Sequence, residues 1–201
     1  IAHAVERGLQ AIVLIPEIAL TYQTMMRFYH RFGGRVSVIH SKMSPGEKQD
    51  QFDRARAGDL DVMIGPRSAL FTPYARLGII VIDEEHEESY RSEQTPRYHA
   101  REVAQQRAKM EHAKLVLGSA TPSLEASYAA ESGSMTLIRM EKRAKAASLP
   151  EVRIIDMRRE LREGNTGILS LELQEEMRSA LESGGQIMLF LNRRGRAGTV
   201  L

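Results

Sequence analysis

Apolar positions along this chain fall into two alternating patterns. Ala11-Ile12-Val13-Leu14-Ile15, Val36-Ser37-Val38-Ile39, Asp61-Val62-Met63-Ile64, Ile79-Ile80-Val81-Ile82 and Lys114-Leu115-Val116-Leu117 are short, nearly unbroken and rich in β-branched residues. Such runs mark strands buried on both faces. Between them lie longer amphipathic stretches with helical spacing. These cover Ala2 to Gly8, about Ile18 to Phe32, a helix to Ala57 opened by Ser44-Pro45-Gly46-Glu47, then His99 to Met110, and Pro122 to Glu131 with Thr121 as expected N-cap. Serine, then proline at the first helical position, then an acid at the third is a helix-start signature. Strand and helix in alternation predict an α/β fold, a parallel sheet with helices on both faces.

The pattern weakens after Met135. Residues 141–148 are basic and small, and 158–167 are charged and carry two glycines. A second region then opens with an expected helix over Ser170 to Glu182 and an expected strand over Ile187 to Leu191. This predicts one α/β unit over 1–140, a linker and edge segment over 141–169, and the start of a second α/β unit over 170–201.

Composition changes this picture little. Of 201 residues 42% are hydrophobic and 27% charged, with a net charge of +2, ordinary values for a folded domain. Cysteine is absent, which excludes disulfides and zinc-thiolate sites within these residues and fits a cytosolic protein. No apolar run reaches membrane-spanning length, and the start at Ile1 shows no signal-peptide pattern.

The candidate chemistry sits where parallel sheets keep it, at the carboxyl ends of strands. Pro16 to Thr21 follow the first strand, Gly65 to Ala69 the third, Asp83-Glu84-Glu85-His86 the fourth and Gly118 to Pro122 the fifth. An aspartate directly after a buried strand can hold Mg²⁺ through water, and a neighbouring glutamate can orient or deprotonate an attacking water. An acid-rich helix start is the plain alternative, since the helix dipole favours acids there. A metal site built on His86 and Glu88 lacks the paired histidines of helical zinc sites. Ser119 and Thr121 suit a relay that senses phosphate, and suit a turn and cap equally well. Tyr90, Tyr98 and His99 are interleaved with Arg91, Arg97 and Arg101, the mixture single-stranded nucleic acid requires for stacking and phosphate contact. An ordinary polar surface loop would look similar. Arg67 with Ser68, and Lys42 with Ser41, are weaker phosphate-contact candidates.

Together these segments resemble superfamily 2 helicases, and more closely the primosomal replication-restart helicases. "LIPEIALTYQT" is similar to motif Ia, "IGPRSALFTP" to the Ib region, "VIDEEHE" to motif II, "SYRSEQTPRYHARE" to the aromatic-rich loop after it, "LGSATPSLE" to motif III and "LFLNRRGRA" to motif IV. The resemblance implies a RecA-like helicase lobe 1, truncated at its N-terminus, then the beginning of lobe 2. It implies an ATP-dependent 3′-to-5′ DNA helicase, working in the cytoplasm at the nucleoid. Its cofactors would be ATP and Mg²⁺, and its partners single-stranded and forked DNA, single-stranded-DNA-binding protein and other primosome proteins, with no membrane. By the same resemblance Asp83 holds Mg²⁺ through water, Glu84 polarises the attacking water, and His86 links the nucleotide to Ser119 and Thr121. Tyr90, Arg91, Tyr98, His99 and Arg101 sense DNA, while Glu17, Thr21, Arg67 and Ser68 line its path.

The departures are equally specific. No G-x-x-x-x-G-K-[ST] phosphate loop occurs in these residues. The family's zinc module, and its Zn, are expected beyond this chain. These 201 residues are therefore expected to be inactive alone, and a central strand preceding the phosphate loop is expected to be missing, leaving apolar edges. Another superfamily 2 DNA or RNA translocase, or a non-catalytic nucleic-acid-binding module on a degenerate nucleotide fold, are the competing readings.

Overall fold

The computed structural model describes residues 1–141 and 150–190. Strands β1 (Gln10–Leu14), β2 (Val36–Val38), β3 (Val62–Gly65), β4 (Leu77–Ile82) and β5 (Lys114–Leu117) form one sheet in the order β2-β3-β1-β4-β5. Every neighbouring pair is parallel. Parallel pairing needs crossovers, and helices α2 (Tyr22–Phe32), α3 (Pro45–Ala57) and α4 (Ala100–Met110) supply three of them. Helix α1 (Ala2–Glu6) precedes β1, and α5 (Leu124–Glu131) follows β5. The expected α/β, RecA-like class holds.

The period-2 alternation of each strand divides the core in two. Ile12, Leu14, Met63, Ile80 and Ile82 point to one face, where Ala100, Ala104 and Ala108 of α4 and Ala55 and Phe52 of α3 cover them. Ala11, Val13, Val36, Val38, Val62 and Ile64 point to the other, against Val5 of α1 and Met25, Phe28 and Phe32 of α2. Fully buried residues such as Ile12 and Ile80 stabilise the fold by roughly 1.5–3 kcal/mol each relative to exposure. The second face thins over β4 and β5, where Val81 is half-buried and Val116 is 46% exposed.

Three sequence expectations are corrected. The stretch from Ile18 to Phe32 is two elements, a short 3-10 turn over Glu17–Ala19 and then α2. Leu20 leaves helical geometry at ψ 63°, and Thr21 restarts the helix as its N-cap by accepting from Thr24 N–H. The N-cap of α5 is Ser123, not Thr121. Residues 187–190 form no strand, since no partner strand meets them among the described residues. Residues 142–149, and 191–201 with most of "LFLNRRGRA", lie outside the described residues.

The chain divides into two compact units, Ile1–Arg139 and Met140–Leu201. The second contains helices α6 (Met157–Arg162) and α7 (Leu171–Glu182), capped by the side chains of Asp156 and Ser170.

Candidate nucleotide and nucleic-acid site

The sheet register brings the chemistry to one level. Leu14 pairs with Gly65 and with Ile82, and Ile82 pairs with Leu117, so the loops after β1, β3, β4 and β5 leave the same edge. Backbone bonds then tie the loops together. Ile15 N–H donates to Gly65 O at 3.0 Å, Asp83 N–H to Leu14 O at 2.9 Å and Gly118 N–H to Ile82 O at 2.8 Å. Gly65 permits the close approach: a Cβ there would lie 2.6 Å from Ile39 O.

After β4 the chain turns sharply. Glu84 has φ +47°, a left-handed conformation that costs a non-glycine residue about 1–2 kcal/mol. Strain of this kind gathers at working sites, and here it parts the carboxylates. Asp83 is exposed, with Oδ1 accepting from Glu84 N–H at 3.1 Å, and Glu84 is half-buried with a carboxylate oxygen 3.7 Å from His86 Nδ1. Glu85 turns inward and is 2% exposed. Its Oε1 accepts from Ser123 N–H at 2.7 Å, and its Oε2 accepts from Ser123 Oγ at 3.0 Å and Arg101 Nη1 at 3.1 Å. The crowding of acids is thus relieved in part by this chain's own arginine.

His86 spans the gap to the next loop. Its Nδ1 lies 2.7 Å from Ser119 Oγ and its Nε2 3.5 Å from Thr121 Oγ1, and Thr121 N–H donates to Ser119 Oγ at 3.0 Å. The structure therefore brings Asp83, Glu84, His86, Ser119 and Thr121 into one cluster. Among the described residues no three histidine or acidic side chains gather tightly enough to make a metal cage of their own. A single exposed aspartate fits instead a hard cation that keeps several waters.

The loop between His86 and α4 is anchored at several points. Tyr90 is buried beneath the acids, and its hydroxyl donates to Asp83 O at 2.7 Å. That burial, with the acids nearby, pushes its phenol well above the ordinary range. Arg67 Nη1 donates to Ser89 O at 2.8 Å and Arg91 O at 3.0 Å. Ser92 N–H donates to Tyr98 O at 2.8 Å, beside the bridge between Arg91 and His99. Tyr98 meets Phe71 edge-to-face at 5.5 Å. His99 caps α4, its Nδ1 accepting from Arg101 N–H at 3.2 Å, and desolvation, followed by the Arg101 charge, lowers its pKa.

Two of the residues expected to sense DNA are inside. Tyr90 belongs to the core, and Arg101, 11% exposed, spends its guanidinium on Glu85 and Ser123. Of the others Arg91, Ser68, Glu17 and Thr21 are exposed, and Arg67, Tyr98 and His99 are half-buried. Glu17 Oε1 accepts from Ser41 N–H at 2.7 Å; hydrogen bonding to Ser41 also lowers its pKa. Sequence reasoning missed Glu85, Ser123 and Phe71. Ser123 had a legible signal, a hydroxyl before Leu124-Glu125, but the preceding Thr121-Pro122 offered a competing helix start.

A DEAD/DEAH box helicase family model matches residues 1–128. The chain belongs to the DEAD/DEAH box helicase family. It is 45% identical over 201 residues to the replication restart protein PriA of Bacillus subtilis, covering all of this chain and 25% of that protein. It is also 45% identical over 196 residues to PriA of Chlamydia pneumoniae, covering 96% of this chain and 26% of that one. The chain thus spans about a quarter of the length of these relatives. Among solved structures, the Pyrococcus furiosus Hef helicase domain is 17% identical with a TM-score of 0.36, over 62% of this chain and 25% of that one. No helix among the described residues is long and apolar enough to cross a membrane.

Proposed function

We propose that this chain is part of an ATP-dependent 3′-to-5′ DNA helicase of replication restart and primosome assembly, acting at stalled forks. The parent protein couples Mg-ATP hydrolysis to movement on single-stranded DNA. The observation that carries this reading is the carboxyl-edge cluster, in which exposed Asp83 and strained Glu84 follow a buried strand and His86 reaches Ser119. Similarity to PriA along the whole chain supports the replication-restart assignment.

In this reading Asp83 would hold Mg²⁺ through water. The bound Mg-ATP supplies a polarised phosphoryl centre whose developing charge the metal neutralises. Glu84 orients a water and takes its proton, and its open, half-buried position leaves room for that water. His86, within reach of both hydroxyls, carries the state of the nucleotide pocket to the loop after β5. Arg91, Tyr98, His99 and Ser68 face the DNA, with Arg67 holding the Arg-aromatic loop and Glu17 and Thr21 shaping the loop after β1. Single-stranded-DNA-binding protein and primosome proteins are its partners.

The 201 residues alone contain no phosphate-cradling G-x-x-x-x-G-K-[ST], and we infer that they do not hydrolyse ATP by themselves. The test is ATP turnover by the parent protein with no DNA, with single strands and with forks. Turnover that rises on adding DNA is expected. Turnover indifferent to DNA would leave a nucleic-acid-binding module as the better account.

A further inference from the structure

Glu85 has no part in the chemistry just described, yet it is the most buried acid of the run. We propose that Glu85 is a positioning residue that clamps the starts of α4 and α5 to the acidic loop, and so sets the reach of Ser119 and Thr121 to His86. The proposal rests on the motor reading above and adds a residue to it.

The geometry of the loop after β5 carries the argument. At one end Gly118 is held by its N–H on Ile82 O and by its carbonyl, which accepts from Glu85 N–H at 3.0 Å. At the other end Ser123 is held by the Glu85 carboxylate through both its N–H and its hydroxyl. One residue therefore fixes both ends of a short loop, and Ser119 and Thr121 lie between them. A 2.7 Å contact such as His86 to Ser119 weakens steeply with small displacements, so the clamp governs whether it forms.

Arg101 completes the clamp. Its Nη1 donates to Glu85 Oε2 and, at 2.6 Å, to Ser123 Oγ, which also accepts from Ala126 N–H as the cap of α5. A buried ion pair is a poor device for stability, because desolvation offsets most of its attraction, and packed apolar residues would serve the core as well. What the pair provides is direction. Arg101 stands in the first turn of α4, directly after the loop of Arg91, Tyr98 and His99, whose other end is anchored by Tyr90 on Asp83 O. Both ends of that exposed loop thus bear on the acidic segment, one through Asp83 and one through Glu85.

The test uses the full-length parent protein and reads the ratio of DNA-stimulated to unstimulated ATP turnover, with thermal unfolding alongside. Glu85→Gln keeps the shape of the side chain and loses the charge; Ser123→Ala loses the bridging hydroxyl; Ser123→Thr retains it. Glu85→Gln and Ser123→Ala are each expected to cut the ratio by about fivefold or more, within the usual range of coupling between sites, with the KM for ATP without DNA moving by less than about twofold. Ser123→Thr is expected to keep the wild-type ratio. The ratio does not depend on how much of a preparation is folded. A lower Tm with an unchanged ratio in Glu85→Gln and Ser123→Ala would therefore overturn the proposal and leave Glu85 a structural residue. Should Glu85→Gln fail to fold, the two Ser123 variants decide the question in the same way. A wild-type parent with no DNA stimulation would overturn the motor reading itself, and that result appears before any substitution is made.

Discussion

The two units of this chain show the same local signals with different outcomes. In Ile1–Arg139, helices with well-formed caps lie on a paired sheet, and both hydrophobic clusters are drawn entirely from this unit. In Met140–Leu201, Asp156 and Ser170 cap their helices just as well, yet Ser170 is the only buried residue among those described. Leu161, Leu171 and Leu181 stay about 60% exposed. Caps and spacing mark where a helix starts and which face is apolar, but a core requires a partner for each apolar face, and in the first unit the parallel strands supply it.

The comparison can be broken most forcefully by truncating apolar residues in each unit. Ile80→Ala, at a fully buried site between α4 and the sheet, is expected to cost about 4 kcal/mol in urea unfolding, while Leu181→Ala stays within about 0.5 kcal/mol. Comparable losses from the two would mean that the second unit has a core of its own. Arginine removal comes next. Arg101→Ala strands a buried Glu85 and is expected to cost about 3 kcal/mol. Arg153, exposed between Glu172 and Glu176, is expected to be replaceable by alanine without shifting the unfolding midpoint at moderate salt.

Caps give smaller effects. Ser44→Ala removes half of a capping box with Glu47 and is expected to cost about 1 kcal/mol of global stability. Ser170→Ala is expected to speed amide exchange in α7 and leave the cooperative transition of the first unit where it is. The smallest effect is a dependence on pH. Desolvation lowers the His99 pKa in the fold, so the unfolded chain takes up the proton first as pH falls through the ordinary histidine range. Stability contributed by neutral His99 is therefore complete above that range and declines below it. His99→Asn keeps a cap acceptor without a titrating group, and the fall in Tm between neutral and mildly acidic pH is expected to be shallower in that variant. An equal fall in both proteins would remove His99 from the account.

Most of the fold was legible because its signals are local. Five nearly unbroken apolar runs gave five strands, and Ser44-Pro45-Gly46-Glu47 gave the start of α3. Where local signals compete they mislead. Leu20 and Thr21 interrupt a helical pattern whose spacing alone runs on, and Ile187 to Phe190 have strand composition without a strand partner among the described residues. The site divides the same way. Asp83, Glu84 and His86 could be found because they directly follow a buried strand. Glu85 could not, because the left-handed turn at Glu84 sends the next side chain inward, and its partners Arg101 and Ser123 lie 16 and 38 residues away. Composition likewise cannot tell an exposed arginine or tyrosine from one turned into the core, as Tyr90 and Arg101 are.

In the function proposed above, Glu84 acts at the chemical step and its neighbours hold the geometry around it. The most direct test is Glu84→Gln in the parent protein, measuring ATP binding and DNA-stimulated ATP turnover on the same preparation. Turnover is expected to fall by about 100-fold or more, the scale of a lost general base, with ATP affinity held within about twofold. Turnover retained within about tenfold of wild type would contradict it and return the acidic run after β4 to a structural role.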